Sequence, residues 1–280
     1  MLKRVLAVYF SGTGTTEKTV KTIAKKAADE LRLEYGEWDF TPLFAREKPL
    51  NFTDEDLVIF GMPVIAGRVP NLMLKYLSQI EGGNALAVPV VLFGNRNYDD
   101  ALIELRDILL DAGAKPVAAG AFVGEHSFST ILGAGRPDAE DLALAEKFAQ
   151  SVAQKIKDAA SGENGADLDI PPVQVPGIPK PYRGYYQPQD RHGAPIDIRK
   201  VKPKTDMSKC DSCGLCVKLC PLGSINSADV SEITGICMKC CACVKKCPKG
   251  AKYFDDPGYI YHKEELEDLY QRRAQSEIFL

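Results

Sequence analysis

Nine cysteines, all between residues 210 and 247, are the residues whose type and spacing most directly predict chemistry in this chain. Eight of them form two runs of the pattern C-x2-C-x2-C-x3-C-P, the first beginning at Cys210 and the second at Cys237. Thiols at this density form disulfides in oxidising compartments and bind metals in reducing ones. The chain opens with an apolar run too short for a secretion signal, so we expect a reducing cytoplasm and metal-bound thiolates.

The spacing within each run favours iron–sulfur clusters. Three thiolates two residues apart can hold one face of an iron–sulfur cube, whereas the fourth lies too far along the chain for the same cube. Zinc sites more often use two separated cysteine pairs, and zinc remains the alternative. From Asp206 to Gly258 the chain resembles the two-cluster bacterial ferredoxins, in which the fourth cysteine of each run ligates the other cluster. The resemblance implies one [4Fe–4S] cluster on Cys210, Cys213, Cys216 and Cys247, and another on Cys220, Cys237, Cys240 and Cys243.

The net charge around the cysteines depends on whether clusters are bound there. Residues 199–252 hold 11 Lys and Arg against four Asp and Glu, a surplus that alone would suggest nucleic acid. Each oxidised cluster with its four thiolates carries roughly −2, which offsets more than half of that surplus. We therefore expect a solvated face or a docking patch for an acidic redox protein, and no nucleic-acid partner. The ninth cysteine, Cys241, is expected to be an inert buried thiol.

A second chemical feature is the loop Ser11-Gly12-Thr13-Gly14-Thr15-Thr16, which follows an apolar segment and opens a helix. A glycine-rich turn at a helix N-terminus binds anions through free amides and the helix dipole. Its hydroxyls add neutral donors. The loop lacks both G-K-[ST] and a third glycine, which makes nucleoside triphosphates and dinucleotides weaker candidates. A simple helix-capping turn is the alternative without a ligand.

This loop resembles the phosphate loop of flavodoxins, and the resemblance covers residues 1 to about 160. Two later turns, 61–70 and 94–100, correspond to the loops that hold the flavin ring in that family. The resemblance implies FMN as the cofactor, with Tyr98 stacked on the ring; a packing role for Tyr98 is the alternative. The implied FMN contacts are Ser11, Gly12, Thr13, Gly14, Thr15, Thr16, Pro63, Val64, Ile65, Ala66, Gly67, Gly94, Asn95, Arg96, Asn97 and Tyr98.

A further segment, 124–129, follows the last predicted strand of this region and contains His126. A histidine beside a flavin can transfer protons or contact a substrate, so His126 is the candidate catalytic residue. A hydrogen-bonded structural histidine is the alternative. Arg68 and Arg96 lie in the two ring loops, where flavodoxins usually present acidic surroundings.

The elements that must position these residues form an α/β pattern in the first 160 residues. Apolar segments of helical spacing around Val20, Leu102 and Phe148 alternate with short β-rich segments. We predict a flavodoxin-like, doubly wound parallel sheet of five strands in the order 2-1-3-4-5, followed by a small α+β ferredoxin domain with two [4Fe–4S] clusters. The predicted strands are 5–10, 34–40, 57–60, 87–93 and 117–123.

The predicted domain organisation follows from composition. Residues 161–205 contain eight of the 18 prolines and three tyrosines, which indicates a linker that either packs on a neighbouring surface or forms an extended spacer. The predicted units are a flavodoxin-like FMN-binding domain at 1–160, the linker at 161–205, the ferredoxin domain at 206–258 and a C-terminal helix at 259–280. No run of about 18 apolar residues occurs, so we expect no membrane span.

The chain as a whole resembles the fused flavodoxin–ferredoxin proteins of anaerobic prokaryotes. This resemblance implies an electron carrier in which two [4Fe–4S] clusters and FMN exchange electrons with redox partner proteins. An FMN-dependent reductase of a small substrate, fed by the clusters, is the second hypothesis, in which His126, Arg68 and Arg96 would orient an anionic substrate. A redox-sensing interaction module is the third.

Overall fold

The structure is a computed structural model that describes residues 1–161, 168 and 170–280. Its strands are β1 (Arg4–Tyr9), β2 (Glu34–Asp39), β3 (Asp56–Pro63), β4 (Leu86–Phe93), β5 (Lys115–Pro116), β6 (Ala119–Val123), β7 (Lys204–Thr205), β8 (Lys252–Tyr253) and β9 (Glu277–Phe279). Its helices are α1 (Thr15–Leu31), α2 (Asn71–Leu77), α3 (Ala101–Asp111), α4 (Ala139–Ala160), α5 (Leu215–Leu219), α6 (Ala242–Lys245) and α7 (Pro257–Leu269), with a short 3₁₀ helix at Leu43–Arg46.

The main sheet has the parallel strand order β2-β1-β3-β4-β6. This is the 2-1-3-4-5 order of a flavodoxin-like doubly wound fold, so the predicted fold class is confirmed. β3 and β4 are buried along almost their whole length, which is why their sequences are continuously apolar. Because these strands are parallel, the loops after β1, β3, β4 and β6 emerge at the same edge of the sheet.

Helices cover both faces of this sheet and form two apolar cores. On one face, α1 and α4 bury residues such as Val20 and Phe148 against β1, β3 and β4. On the other face, α2 and α3 bury residues such as Met73 and Leu102. A capping box at Asp138 begins α4, because the Asp138 side chain accepts hydrogen bonds from the first free amides of the helix.

The fifth strand is predicted over residues 117–123, and its start differs in the structure. Pairing with β4 occurs in two parts, the two-residue β5 and then β6 from Ala119. Lys115 and Val117 donate to the carbonyls of Ala85, just before β4, and of Ala87, within it, so the amide position of Pro116 faces away from β4 and the proline is tolerated there.

The segment after residue 259 also differs from the prediction of a single helix. α7 ends at Leu269, and the chain then returns to the main sheet, where β9 pairs antiparallel with β6. Without β9, strand β6 would present an unpaired edge, which β9 satisfies. The sheet therefore gains an edge strand beyond the five that were predicted.

The proline-rich linker packs along the first domain. Val173 N–H donates to the Pro116 carbonyl (2.8 Å), and Ile178 N–H donates to the Asp100 carboxylate (3.0 Å). Farther along, the Tyr182 hydroxyl donates to Asp107 (2.9 Å) and the Tyr185 hydroxyl to the Val69 carbonyl (2.8 Å). Over its described residues the linker therefore packs on a neighbouring surface, which is the first of the two alternatives, and does not form an extended spacer.

The segment 206–258, hereafter the cysteine domain, repeats its backbone as well as its sequence. α5 and α6 begin after Gly214 and Cys241, which are 27 positions apart and both left-handed, with φ of 70° and 58°. Two positions earlier in each repeat, Ser212 and Lys239 are also left-handed. Cys241 thus occupies the place that glycine holds in the first repeat, where a side chain costs roughly 1 kcal/mol.

Candidate functional site

The loop between β1 and α1 is shaped to receive an anion at the carboxyl edge of the sheet. Gly14 caps α1 with φ of 102°, a conformation that glycine adopts without strain. The Ser11 hydroxyl accepts a hydrogen bond from Glu17 N–H (3.0 Å), and Ser11 N–H donates to the Thr41 hydroxyl (2.7 Å). The first amides of α1 lack intrahelical carbonyl partners, so this end of the helix favours a negative group.

A cavity beside this loop, the phosphate cavity, contains an unpaired hydroxyl. Thr16 is 1% exposed, and its Oγ1 has no hydrogen-bond partner among the residues that the structure describes. An unpaired buried donor costs about 1–3 kcal/mol, and a phosphate oxygen would accept its hydrogen bond. The cavity therefore fits the phosphate of FMN. Among the predicted contacts, those that line it are Gly12, Thr13, Thr15, Thr16, Pro63, Val64, Ile65 and Gly94.

A larger cavity of about 600 Å³, the ring cavity, shares five lining residues with the phosphate cavity. Its volume lies in the range of small-molecule sites. It runs over the loops after β3 and β4, as a flavin ring would. The predicted contacts that line it are Val64, Ile65, Ala66, Gly67, Gly94, Arg96 and Asn97.

The far side of the ring cavity comes from the linker and α7. Tyr186 N–H donates to the Ala66 carbonyl (2.8 Å), and the Tyr186 ring lies under the Arg96 guanidinium (4.7 Å) and stacks on His262. His262 is 5% exposed, and its Nδ1 has no hydrogen-bond partner. Burial, assisted by Arg96, lowers the pKa of His262 to about 4, so the ring is neutral at pH 7. The ring cavity is therefore lined by a residue with an unpaired polar atom, as the phosphate cavity is.

His126 lines both cavities. Its Nδ1 accepts a hydrogen bond from Phe128 N–H (3.1 Å), which leaves the proton of the neutral ring on Nε2. Burial, with further repulsion from His262 and Lys245, lowers the pKa of His126 to about 3. At neutral pH His126 is therefore a neutral hydrogen-bond donor, and its catalytic role stays a prediction.

Four predicted contacts, Ser11, Gly14, Asn95 and Tyr98, do not line either cavity. Tyr98 is 7% exposed, packs on Phe93 and donates to Glu277 (2.8 Å), so it faces the sheet edge instead of a flavin ring. Tyr185 and Tyr186 of the linker are aromatic residues that do line the ring cavity. Sequence reasoning noted these tyrosines as packing residues and missed their place at the site.

The two arginines of the ring loops already have partners. Arg68 pairs with Glu104 (2.6 Å), which is 2% exposed, and Arg68 does not line the ring cavity. Arg96 lines the cavity and pairs with Asp99. These carboxylates balance the positive charge that distinguishes the loops from those of flavodoxins.

The nine cysteines are free thiols, and the predicted ligand sets surround two separate cavities of the cysteine domain. Cys210, Cys213, Cys216 and Cys247 line one, together with Cys243. Cys220, Cys237, Cys240 and Cys243 line the other, together with Cys241. Over the described residues, no three His, Cys, Asp or Glu side chains converge on a single ion. The four thiols of each predicted set thus line one cavity, which is the arrangement that a [4Fe–4S] cluster in each cavity would need.

Backbone amides donate to three of these sulfurs. Ser224 N–H donates to Cys220 Sγ (3.3 Å) and Ala251 N–H to Cys247 Sγ (3.3 Å), at equivalent positions of the two repeats. Ser212 N–H donates to Cys210 Sγ (3.4 Å). Such donors stabilise thiolate charge and raise the reduction potential of a bound cluster. Cys241 differs, since it is 3% exposed and burial raises its pKa to about 12, as expected of an inert thiol.

The cysteine domain lies directly against the two flavin-type cavities. Cys240 lines the phosphate cavity, and Cys237, Met238 and Lys239 line the ring cavity. A Cβ built on Gly12 would lie 3.1 Å from the Cys240 Cβ, so the two domains pack closely at this glycine. Sequence reasoning did not predict this contact, because nothing in either motif records how the domains dock.

Two basic side chains hold the domains together. Lys245 Nζ donates to the carbonyls of His126 (2.7 Å) and Ser129 (2.6 Å) and pairs with Glu125. Arg46, in the 3₁₀ helix, donates to carbonyls of its own loop and to the Pro221 carbonyl. Both contacts join a loop at the carboxyl edge of the sheet to the cysteine domain.

Comparison with known proteins identifies a 4Fe-4S family match within the cysteine region. The 4Fe-4S binding domain family matches residues 203–226, which contain the first cysteine run and not the second. No curated protein matches the chain. A flavodoxin-like domain joined to a 4Fe-4S domain indicates electron transfer. No helix in the described residues is long and apolar enough to cross a membrane.

Ninety chains of solved structures match, and flavodoxins are among them. An archaeal flavodoxin is 14% identical, with 55% of this chain and 99% of that chain covered and a TM-score of 0.39. A flavodoxin of Streptococcus pneumoniae is 21% identical over 54% and 98% (TM-score 0.39). Flavodoxin 2 of Bacillus cereus is 19% identical over 54% and 99% (TM-score 0.39). At these values the fold assignment rests on the strand order described above.

Proposed function

We propose that this protein relays electrons between two [4Fe–4S] clusters and FMN within one chain. When bound, the clusters exchange single electrons and the flavin exchanges one or two. One observation carries the proposal: Cys240 and Cys237, from one predicted ligand set, line the phosphate and ring cavities. A cluster held there would be next to the flavin with no intervening domain.

The order of the relay follows from the cavities. Cys243 lines both cluster cavities, which makes the two clusters neighbours. The cavity of Cys210, Cys213, Cys216 and Cys247 has no lining residue in common with the ring cavity. We therefore assign this outer cluster to the exchange of electrons with partner proteins, and the inner cluster to exchange with FMN.

Flash reduction of the reconstituted holoprotein tests the relay. We expect the clusters to be reduced first and the flavin to follow with a first-order rate constant that does not change when the protein is diluted. An intermolecular reaction would instead slow in proportion to concentration. A flavin rate that falls with dilution, or a protein that binds no FMN, would contradict the proposal.

Two neighbouring cysteines provide a matched pair for the same measurement. Cys240→Ala removes a predicted ligand of the inner cluster and should abolish concentration-independent flavin reduction. Cys241→Gly removes the adjacent thiol at a left-handed position that glycine accepts, and should leave both the iron content and the rate unchanged. If the two variants had the same iron content and the same rate of flavin reduction, Cys240 could not be assigned as a ligand of the inner cluster.

A reductase of a small substrate is the second candidate, favoured by the enclosure of the ring cavity. Tyr186, His262 and Leu266 line the side of the cavity opposite the loops after β3 and β4, which suits a small molecule better than a protein partner. Under this alternative, His126→Ala abolishes turnover of a small acceptor. Under the relay, it leaves cluster-to-flavin transfer nearly unchanged.

We also propose that the chain is a member of the fused flavodoxin–ferredoxin proteins. The flavodoxin-like strand order and two cysteine runs on one chain support this assignment. The basic surplus of residues 199–252 beyond the cluster charge suits acidic redox proteins as donor or acceptor.

A further inference from the structure

The phosphate end of the flavin site lies against the cysteine domain, and this raises the question of which cation meets the phosphate. A phosphate monoester carries about −1.5 to −2 charges at pH 7. Lys18, in the first turn of α1, is the basic residue nearest in sequence. Its Nζ donates to the Pro137 carbonyl (2.9 Å), just before α4, so this ammonium group already has a partner.

Lys246 reaches the same loop from the other domain. It follows α6, and its Nζ is 4.0 Å from the position that a Cβ on Gly14 would occupy. No other non-neighbouring atom lies within 4 Å of that position, so space remains beside the ammonium group. Gly14 is the N-cap of α1, whose first turn carries the unpaired Thr16 hydroxyl.

The lysines on either side of this position have other partners. Lys245 pairs with Glu125, which also lines the phosphate cavity, so that carboxylate does not oppose an incoming anion. Lys249 pairs with Asp211 (3.8 Å) on the far side of the outer cluster cavity. Within the described residues Lys246 forms no ion pair. It lines the outer cluster cavity and not the phosphate cavity, and its approach to Gly14 is what brings its charge to the α1 loop.

We propose that Lys246 of the cysteine domain is the cationic ligand of the flavin phosphate. This inference rests on the proposed FMN site and specifies how that site recognises its ligand. The α1 amides and the Thr16 hydroxyl supply neutral donors from one domain, and Lys246 supplies a point charge from the other. The phosphate site is complete only when the two domains are docked.

Flavin binding to the cluster-loaded, flavin-free protein tests this assignment. Equilibrium ultrafiltration gives the dissociation constants of FMN and of riboflavin, which has the same ring and no phosphate. A charge-assisted hydrogen bond contributes about 1.5–3 kcal/mol, so we expect Lys246→Met to weaken FMN binding roughly 10- to 100-fold and to leave riboflavin binding unchanged. Lys246→Arg, which keeps the charge, should bind FMN within about threefold of the wild type.

Lys249→Met is the matched control. Lys249 also lies within two residues of Cys247 and lines the outer cluster cavity, but it does not approach Gly14. We expect Lys249→Met to bind FMN and riboflavin as tightly as the wild type does. The iron content of every variant should equal that of the wild type. Higher salt should weaken FMN binding in the wild type more than in Lys246→Met.

The outcomes separate the two levels of the hypothesis. If the wild type binds no FMN, the proposed function itself fails. If the wild type binds FMN and Lys246→Met binds it equally well, only the role of Lys246 fails. If Lys246→Met weakens FMN and riboflavin by the same factor, the lysine stabilises docking and is not a phosphate ligand, which also overturns the inference.

Discussion

Two threonines of α1 differ in a single respect that bears on cofactor binding. Thr16 and Thr19 are both 1% exposed, and the Oγ1 atoms of both lack hydrogen-bond partners. Only Thr16 lines the phosphate cavity. An unpaired buried hydroxyl is a cost in the folded protein, and a ligand can remove that cost only where it can reach the oxygen.

We therefore expect Thr16→Val to weaken FMN binding about tenfold or more, because the variant loses a hydrogen bond to a charged phosphate. The measurement is the FMN dissociation constant of the cluster-loaded protein. Thr19→Val is the control, since it removes the same buried group one turn along the helix and should not change the affinity. Equal weakening by both substitutions would show that helix packing, and not phosphate contact, is responsible.

At the level of elements, the loop after β4 connects the flavin site to the C-terminal segment. The Asn95 amide donates to the carbonyls of Tyr270 (2.8 Å) and Arg272 (2.6 Å), and its Oδ1 accepts from Ala274 N–H (3.1 Å). Asn95 is 3% exposed and left-handed, with φ of 64°. Its neighbours Gly94 and Arg96 line the ring cavity, so one turn serves two purposes.

Asn95→Ala should lower the free energy of unfolding of the first domain by about 3 kcal/mol, because four hydrogen bonds are lost, including a long one that Arg136 donates to Oδ1 (3.4 Å), and alanine is strained at this φ. Urea unfolding can be followed by the fluorescence of Trp38, the single tryptophan, which lies in β2. Asn95→Gly loses the same hydrogen bonds without the strain and should recover about 1 kcal/mol. Wild-type stability in both variants would mean that the C-terminal segment is held by other contacts.

The elements that sequence could predict are those specified by local pattern. The cysteine runs, the Gly/Thr loop and the buried strands β3 and β4 all carry their own spacing or apolar signature. The structure has strands at both predicted places, although β3 continues three residues past its predicted end at Phe60. β9 is three residues long and pairs only because β6 presents an open edge, so its sequence carries no comparable signal. The cavity lining by Tyr185, Tyr186 and His262 likewise depends on contacts between distant segments.

On the scale of the whole molecule, the proposed flavin site is a junction of four segments. The first domain supplies its loops, the linker supplies Tyr185 and Tyr186, the cysteine domain supplies residues 236–240, and α7 supplies His262 and Leu266. Domains that fold around clusters lose structure when the metal is removed. The flavin affinity should therefore depend on iron that does not contact the flavin.

Removal of iron by an anaerobic chelator should raise the FMN dissociation constant by about tenfold or more, since the cysteine domain no longer encloses the cavities. The affinity is measured before chelation, after it, and after reconstitution with iron and sulfide, which should restore the original value. The linkage is reciprocal, so bound FMN should slow the loss of iron. An affinity that is the same with and without iron would show that the first domain binds the flavin alone.

The position of β9 has a consequence for the synthesis of this protein. The ribosome finishes β6 some 150 residues before it reaches Glu277–Phe279, so the edge of the main sheet stays open while the cysteine domain is being made. The open edge is a site for pairing with other nascent chains, and its closure comes only after the cluster ligands have been translated. Closure of the main sheet is thus a late event of biogenesis, which follows the synthesis of all nine cysteines.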